Sequence, residues 1–250
     1  MSHTGGVDLG RLAAAYGHRV EEAAAVRAAA AATAARLQPG SLAIDVGGGT
    51  GAHAAVFVAT GSRALVIDRS IAMATAARRI GIPAVVGDGA SLPVGDACAD
   101  LVYFHLSIHH GPSDRWISEG ARVVRPGGVV WVWTLAPQHH RTSFLARWFP
   151  SVAPLDEARF PDPGVVAGAM LDKGLIDPVQ SDHVEHVTRS AGSWAEAVRA
   201  GFVSTLHLVA AEEIAAGLAA FEAAHPDPEE SVAYTIAFRR VSATRPSLPS

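Results

Sequence analysis

With 250 residues the chain is long enough to bury a full core, and one domain carrying an added cap is the natural expectation. A composition of 49% hydrophobic and 18% charged residues, with a net charge of −4, is that of a soluble globular protein without the basic footprint of a nucleic-acid partner. A single cysteine, Cys98, excludes an intrachain disulfide framework and a cysteine-rich zinc site and suits a reducing cytoplasm; no apolar run is long enough to span a bilayer, and MSHTGGVD lacks the pattern of a secretion signal.

Residues 1 to 7 are small and polar. Asp8 is placed to cap a short helix, LGRLAAAY, that Gly17 stops; His18 to Leu37 reads as a second, alanine-rich helix closed by Gln38-Pro39-Gly40. The stretch LAIDVGGGTGAHAAVFVA, residues 42 to 59, comes next. Its apolar run containing Asp45, its glycines at Gly47, Gly49 and Gly51 and its unbroken apolar tail predict strand, tight turn and helix. Such a turn needs positive φ, and a ligand lying on it needs backbone without Cβ atoms in the way. The following helix aims unpaired N–H groups and the positive end of its dipole at that ligand, so an anionic group, pyrophosphate or carboxylate, is expected there.

RALVID forms a second strand ending at Asp68, 17 residues beyond Gly51, and Arg69 and Ser70 open the helix IAMATAARRIG. An acid at such a strand tip either accepts hydrogen bonds from ribose hydroxyls or caps the helix. PAVVG is a third strand running into Asp88-Gly89-Ala90, and DLVYFHL a fourth, followed by SIHHGP. A helix, an R-P-G-G turn and a fifth strand from Val129 to Thr134 come after it. Beyond Ala136, APQHHRTSFLARWFPSVAPLDEARFPDP has no clear period, as expected of a substrate-covering segment. Gly164 to Lys173 reads as helix, VQSDHVEHVTRS as strand, Ser193 to Ala224 as broken helix, and residues 232 to 240 as a final strand.

GGGTGA, from Gly47 to Ala52, satisfies a dinucleotide fingerprint, so the glycines alone leave a nicotinamide oxidoreductase open. With Asp45 before them, however, DVGGGTG resembles the first motif of class I S-adenosylmethionine (SAM) dependent methyltransferases, in which an acid ending the first strand sits near the methionine amino group. GDGASLPV resembles that family's G-D-A-x-x-L-P-F segment, whose Asp accepts from the adenine amine, and R-P-G-G before the fifth strand is a third marker. The resemblance covers residues 42 to 136 well and is closest to the group that includes ubiquinone and menaquinone biosynthesis methyltransferases. It implies an α/β Rossmann-like sheet of seven strands, the last antiparallel, with helices on both faces and an added helical cap. The expected parts are an N-terminal helical lid over 8–40, a SAM-binding core over 42–136, a cap with a late strand over 137–230, a last strand over 231–241 and a disordered tail over 242–250. The resemblance also implies SAM as cofactor, held by Tyr16 or His18 of the lid, Asp45, Gly47, Gly49, Gly51, Asp68, Arg69, Asp88, Gly89 and His105.

The implied reaction is an in-line displacement on the sulfonium methyl, in which the protein holds the reactants and excludes water. A general base is needed only where the acceptor cannot lose its proton unaided. Of the twelve histidines, His109 and His110 after the fourth strand, then His139 and His140 after the fifth, are the candidates. No acidic triad of the magnesium-dependent kind is evident, so no metal is expected. The N-P-P-Y tetrapeptide of enzymes acting on bases and protein glutamines is absent, and Phe144, Trp148, Phe149 and Trp194 suit a small, partly hydrophobic acceptor. The rival readings are the oxidoreductase and a SAM-binding subunit without turnover; the oligomeric state is left open.

Overall fold

The computed structural model describes residues 7, 15 and 22–247, with 22–24 as backbone alone. The expectations for the helix opened by Asp8, for Tyr16 and His18, and for residues 248–250 lie outside the described residues. In chain order the elements are α1 (Glu22–Ala34), β1 (Leu42–Val46), α2 (Ala52–Ala59), β2 (Arg63–Asp68), α3 (Ile71–Arg79), β3 (Ala84–Val86), β4 (Ala99–His105), α4 (Ser113–Val123), β5 (Val124–Leu135), α5 (His139–Thr142), α6 (Phe144–Trp148), α7 (Val152–Arg159), α8 (Pro163–Asp172), β6 (Ile176–Ser190), α9 (Ala191–Ala200), α10 (Ala211–Ala224) and β7 (Ser231–Thr244). Local chemistry sets several boundaries. Ser70 caps α3 by accepting from the Met73 N–H at 3.3 Å, and Asp162 caps α8, which opens with Pro163, by accepting from the Gly164 N–H at 2.7 Å. Gly201, at φ 74°, stops α9.

The strands form one sheet in the order β3-β2-β1-β4-β5-β7-β6. The pairs β2–β3, β1–β2, β1–β4 and β4–β5 are parallel. β7 runs against β5: the Gly127 N–H donates to the Arg245 carbonyl at 2.8 Å and the Ala136 N–H to that of Ala237 at 2.9 Å, so pairing climbs one strand as it descends the other. Central β1 and β4 are covered on both faces, which is why Ala43, Ile44, Leu101, Val102 and Phe104 are apolar and buried without alternation. Strand order reverses between β1 and β4, and a crevice opens at such a switch point.

The chain divides into two compact units. The sheet unit comprises, among the described residues, 22–134, 161–182 and 239–247. Segment 161–182 therefore leaves the expected cap: α8 packs on α4, and Val166, Ala167, Met170 and Leu175 join the core that holds Ile117 and Val130. The expectation of a disordered tail from 242 is overturned for Ser242 to Arg245. Ser242 to Thr244 finish β7, and the Arg245 guanidinium donates to the carbonyls of Ala121, Arg122 and Val124 at 3.2, 3.1 and 2.7 Å, satisfying acceptors left over where α4 ends. R-P-G-G is part of β5, which begins at Val124, because Gly127 at φ 76° lets the chain bend while Gly127 and Gly128 stay bonded to Arg245.

The second unit comprises, among the described residues, Leu135–Phe160 and His183–Phe238. Its core is aromatic: Trp194 lies 4.2 Å from Phe221 and Phe144 stacks on Tyr234 at 5.1 Å, centroid to centroid. The stretch after Ala136 folds as α5, α6 and α7, helices of 4, 5 and 8 residues, too short for a period to show in sequence.

Candidate active site

The turn between β1 and α2 places Gly47, Gly49 and Gly51 at φ 69°, 58° and 84°, as the spacing requires. A Cβ on Gly47 would lie 2.5 Å from the Ser107 Cβ, and one on Gly48 would lie 2.5 Å from the Asp45 Cγ. The turn is thus pressed on the loop after β4 from one side and on Asp45 from the other. The Ser107 hydroxyl locks this contact by donating to the Val46 carbonyl at 2.7 Å.

Asp45 is fully buried, and neither carboxylate oxygen has a hydrogen-bond partner. Burial first, then the neighbouring Asp68 charge, push its pKa up to about 8; the Ala54 amide in the first turn of α2 offsets this in part without closing a hydrogen bond. A buried acceptor without a donor is costly, and an arriving ammonium would satisfy it. Asp68, at the tip of β2, accepts from the Gly49 N–H at 3.0 Å and from the Ser70 N–H at 2.8 Å, one bond per oxygen. Its pKa is raised by burial, against those two amides and Arg69. Since each carboxylate oxygen has two lone-pair directions, acceptor capacity remains on both. Ser70, and not Asp68, caps α3.

Asp88 follows β3, where its Oδ1 accepts from the Ala90 N–H at 2.8 Å and its Oδ2 pairs with Arg69 at 3.2 Å. Gly89 lies flat on the Trp116 indole: a Cβ there would meet Cδ2 at 2.5 Å, and one on Gly111 would meet Nε1 at 2.5 Å. The ring, in the first turn of α4, separates the loop after β3 from the loop after β4, with the Arg69 guanidinium carbon 5.9 Å away.

At the end of β4, the His105 Nε2 accepts from the Arg27 Nε at 2.9 Å, so His105 is neutral with its proton on Nδ1. Its ring lies 4.2 Å from that of His53 and 6.2 Å from that of Tyr103. His109 and His110 share a short 3-10 turn, their centroids 4.1 Å apart, in the loop that carries Ser107. The strand tips thus bring together Asp45, the glycines, Asp68, Arg69, Asp88, Gly89, His105, His109 and His110 in one unit. Arg27 and Trp116 were not anticipated. Arg27 had one signal, being the single basic residue in the alanine-rich α1; Trp116 had none.

His139 and His140 belong to the second unit. The His139 Nδ1 accepts from the Ala237 N–H at 3.4 Å, and burial, reinforced by His140, pushes its pKa down to about 4. Burial lowers the His140 pKa too, with Asp156 and Glu157 opposing. In the same unit Thr205 donates to Asp156 at 2.5 Å, and the two ends of the Arg159 guanidinium donate to Thr205 and Ser204, each at 3.0 Å. Among the described residues no group of three or more His, Cys, Asp or Glu is arranged to hold a metal ion, and no helix is long and apolar enough to cross a membrane.

This strand order, the antiparallel β7 and the glycine turn at the switch point make the fold that of a class I SAM-dependent methyltransferase. Residues 44–132 match the family model of the methyltransferase domain. The demethylmenaquinone methyltransferase of Corynebacterium kroppenstedtii is 32% identical over 123 residues, 46% of this chain and 54% of that protein. The chain thus spans about half the length of the curated relatives it matches. Among solved structures, one described as a methyltransferase of an antibiotic biosynthesis pathway in Anabaena variabilis superposes with a TM-score of 0.65 at 17% identity, over 88% of this chain and 96% of that one. The YcgJ protein of Bacillus subtilis gives 0.60 at 15%, over 88% and 98%. At such identities the likeness speaks for the fold alone.

Proposed function

We propose that the chain binds SAM over the C-terminal ends of β1, β2 and β3 and transfers its methyl group to a small-molecule acceptor. The observation that carries this reading is Asp45, a buried carboxylate without a hydrogen-bond partner beside an anion-compatible glycine turn. A dinucleotide offers phosphates to that turn and no ammonium for Asp45; the methionine end of SAM offers an ammonium. Asp68 accepts from the ribose hydroxyls while its two amide bonds hold it still, and Asp88 with the Gly89 amide faces the adenine edge. The cofactor supplies an activated methyl on a sulfonium. The protein's part is to fix the cofactor, exclude water and, for an acceptor that keeps its proton at neutral pH, remove that proton.

Of the four histidines, His109 and His110 are the proposed base pair, carried on the loop after β4 whose Ser107 touches the glycine turn. His139 is the weaker candidate: a base whose pKa is held near 4 drives little proton transfer at neutral pH. The relatives are named for demethylmenaquinone, so aromatic, apolar acceptors are the first to screen. Calorimetry with S-adenosylhomocysteine tests the reading: micromolar binding is expected, and binding of NADH with no response to either methionine nucleoside would overturn it. His109→Ala and His110→Ala are expected to leave that affinity within about twofold, while the variant lacking the base loses turnover by about 100-fold; unchanged turnover in both would remove them from the mechanism.

A further inference from the structure

We infer that Arg240 and the indole N–H of Trp131 form the subsite that receives an anionic oxygen of the methyl acceptor, a carboxylate or ionised hydroxyl on an aromatic ring; this rests on the methyl-transfer reading above. Trp131 is 2% exposed, and its Nε1 is buried without a hydrogen-bond partner. The Arg240 guanidinium carbon lies 4.8 Å from the centre of the Trp131 ring, and the Arg240 Nε is likewise buried and unpartnered. Two buried donors thus stand together, and neither has an acceptor. The preceding residue shows what a matched arginine looks like on this strand: Arg239 donates to Asp182 at 2.5 Å and to Gln180 at 3.3 Å. For Arg240, burial lowers the pKa and no neighbouring carboxylate opposes the shift. A guanidinium stays charged all the same, so what it lacks is an anion.

The sheet register sets these groups on the face that carries Asp45. Asp45 on β1 is the partner of Tyr103 on β4, and Tyr103 is that of Trp131 on β5, so the three make one row across adjacent strands. Residues paired in this way project from one face. His105, bonded to Arg27 of α1, and its partner Trp133 make the next row on that face. On β7, the bonds from the Ala136 N–H to the Ala237 carbonyl and from the Arg245 N–H to that of Gly128 put Arg240 across from Trp133. The alternate residues Val130, Val132, Val241 and Ala243 belong to the core on the other face. At about 4.8 Å per strand, Trp131 stands roughly 10 Å from Asp45. A methyl acceptor has to lie beside the cofactor that Asp45 holds, and this spacing is that of two small molecules docked side by side.

Trp131 and Trp133 meet edge to face at 6.3 Å, so the surroundings of the two donors are aromatic. An aromatic ring packs there, and a negative oxygen on it takes the indole N–H and a guanidinium N–H as charge-assisted bonds. A neutral ring leaves the cation unmatched.

The test is calorimetry on the full chain at neutral pH with three probes: 2-naphthoate, its neutral counterpart 2-naphthamide, and 2,4-dinitrophenolate, which tells an ionised hydroxyl from a carboxylate. The wild type is expected to bind one or both anions at least about tenfold more tightly than the amide. Arg240→Gln should remove that preference while leaving the amide within about threefold, and Arg240→Lys, which keeps the charge, should retain part of it. Trp131→Phe keeps a ring and loses the N–H, and should weaken the anion by about 3- to 10-fold. Two outcomes overturn the inference: a wild type that binds neither anion in preference to the amide, which needs no variant, or an Arg240→Gln protein that loses thermal stability with the preference intact, the pattern of a stacking strut. The probes are titrated without nucleoside and S-adenosylhomocysteine separately, so failure of the methyl-transfer reading silences the second titration and leaves the first to be judged by itself.

Discussion

Both units bury charged side chains, and they treat them in opposite ways. In the second unit Asp156 is closed on by Thr205, and Arg159 ties Thr205 to Ser204, so donors and acceptors are matched within the protein. In the sheet unit Asp45 is sealed away with neither oxygen bonded and a second acid, Asp68, beside it. Matched polar groups stabilise a fold. An unmatched one stores a demand that a ligand can meet, and it stands where the strand order reverses.

The largest effect is expected where that demand is framed. Gly47→Ala places a residue at φ 69° and its Cβ 2.5 Å from Ser107, displacing the turn; S-adenosylhomocysteine affinity should fall by more than about 100-fold in calorimetry. Wild-type affinity would mean that the turn is not the ligand's seat.

The next contrast is in pH. Asp45 has a folded pKa of about 8 against 3.8 ordinarily, so between those values the folded state holds a proton that the unfolded chain has released. Its contribution to stability is therefore full below about pH 4 and is lost as pH rises to about 8, a change of order a few kcal/mol. Thermal unfolding of the ligand-free Asp45→Asn protein should lack this slope and surpass the wild type at pH 8; parallel profiles would show Asp45 ionised like a surface acid. His139 runs the other way. Its folded pKa of about 4 lies below 6.5, so stability in the second unit is full above about pH 6.5 and is lost as pH falls to about 4. His139→Gln should flatten that acid limb and leave the alkaline one unchanged, as read by unfolding at pH 4.5 and 7.

The smallest effect tests the matched network. Thr205→Val strips a donor from Asp156 and should cost about 1–3 kcal/mol in denaturant unfolding, with S-adenosylhomocysteine affinity unaltered. A loss of affinity in this variant would erase the distinction between a network that serves stability and a site that serves binding.

Much of the sheet unit was legible in the sequence because its signals are local. A strand that runs into alternating glycines fixes its own turn, and acids at the tips of β1, β2 and after β3 stand at predictable places in successive strand–helix units. Arg27 was not legible, since the bond that gives it meaning spans 78 positions, to His105. Nor was Trp116, whose role comes from two glycines on different loops that leave room for its ring. Segment 161–182 was assigned to the wrong unit because a helix pattern tells that a face is apolar but not which core it meets.

Sequence by itself determined the order of strands and helices from β1 to β5, the glycine turn and the three carboxylates at the strand ends, all consequences of backbone sterics and of periodicity over a few residues. Tertiary structure alone decided that Asp45 lacks a partner, that Asp156 has one, and that a cation from α1 stands on the same face as Asp45. Burial and pairing are properties of what surrounds a group, and the surroundings come from parts of the chain far away in sequence.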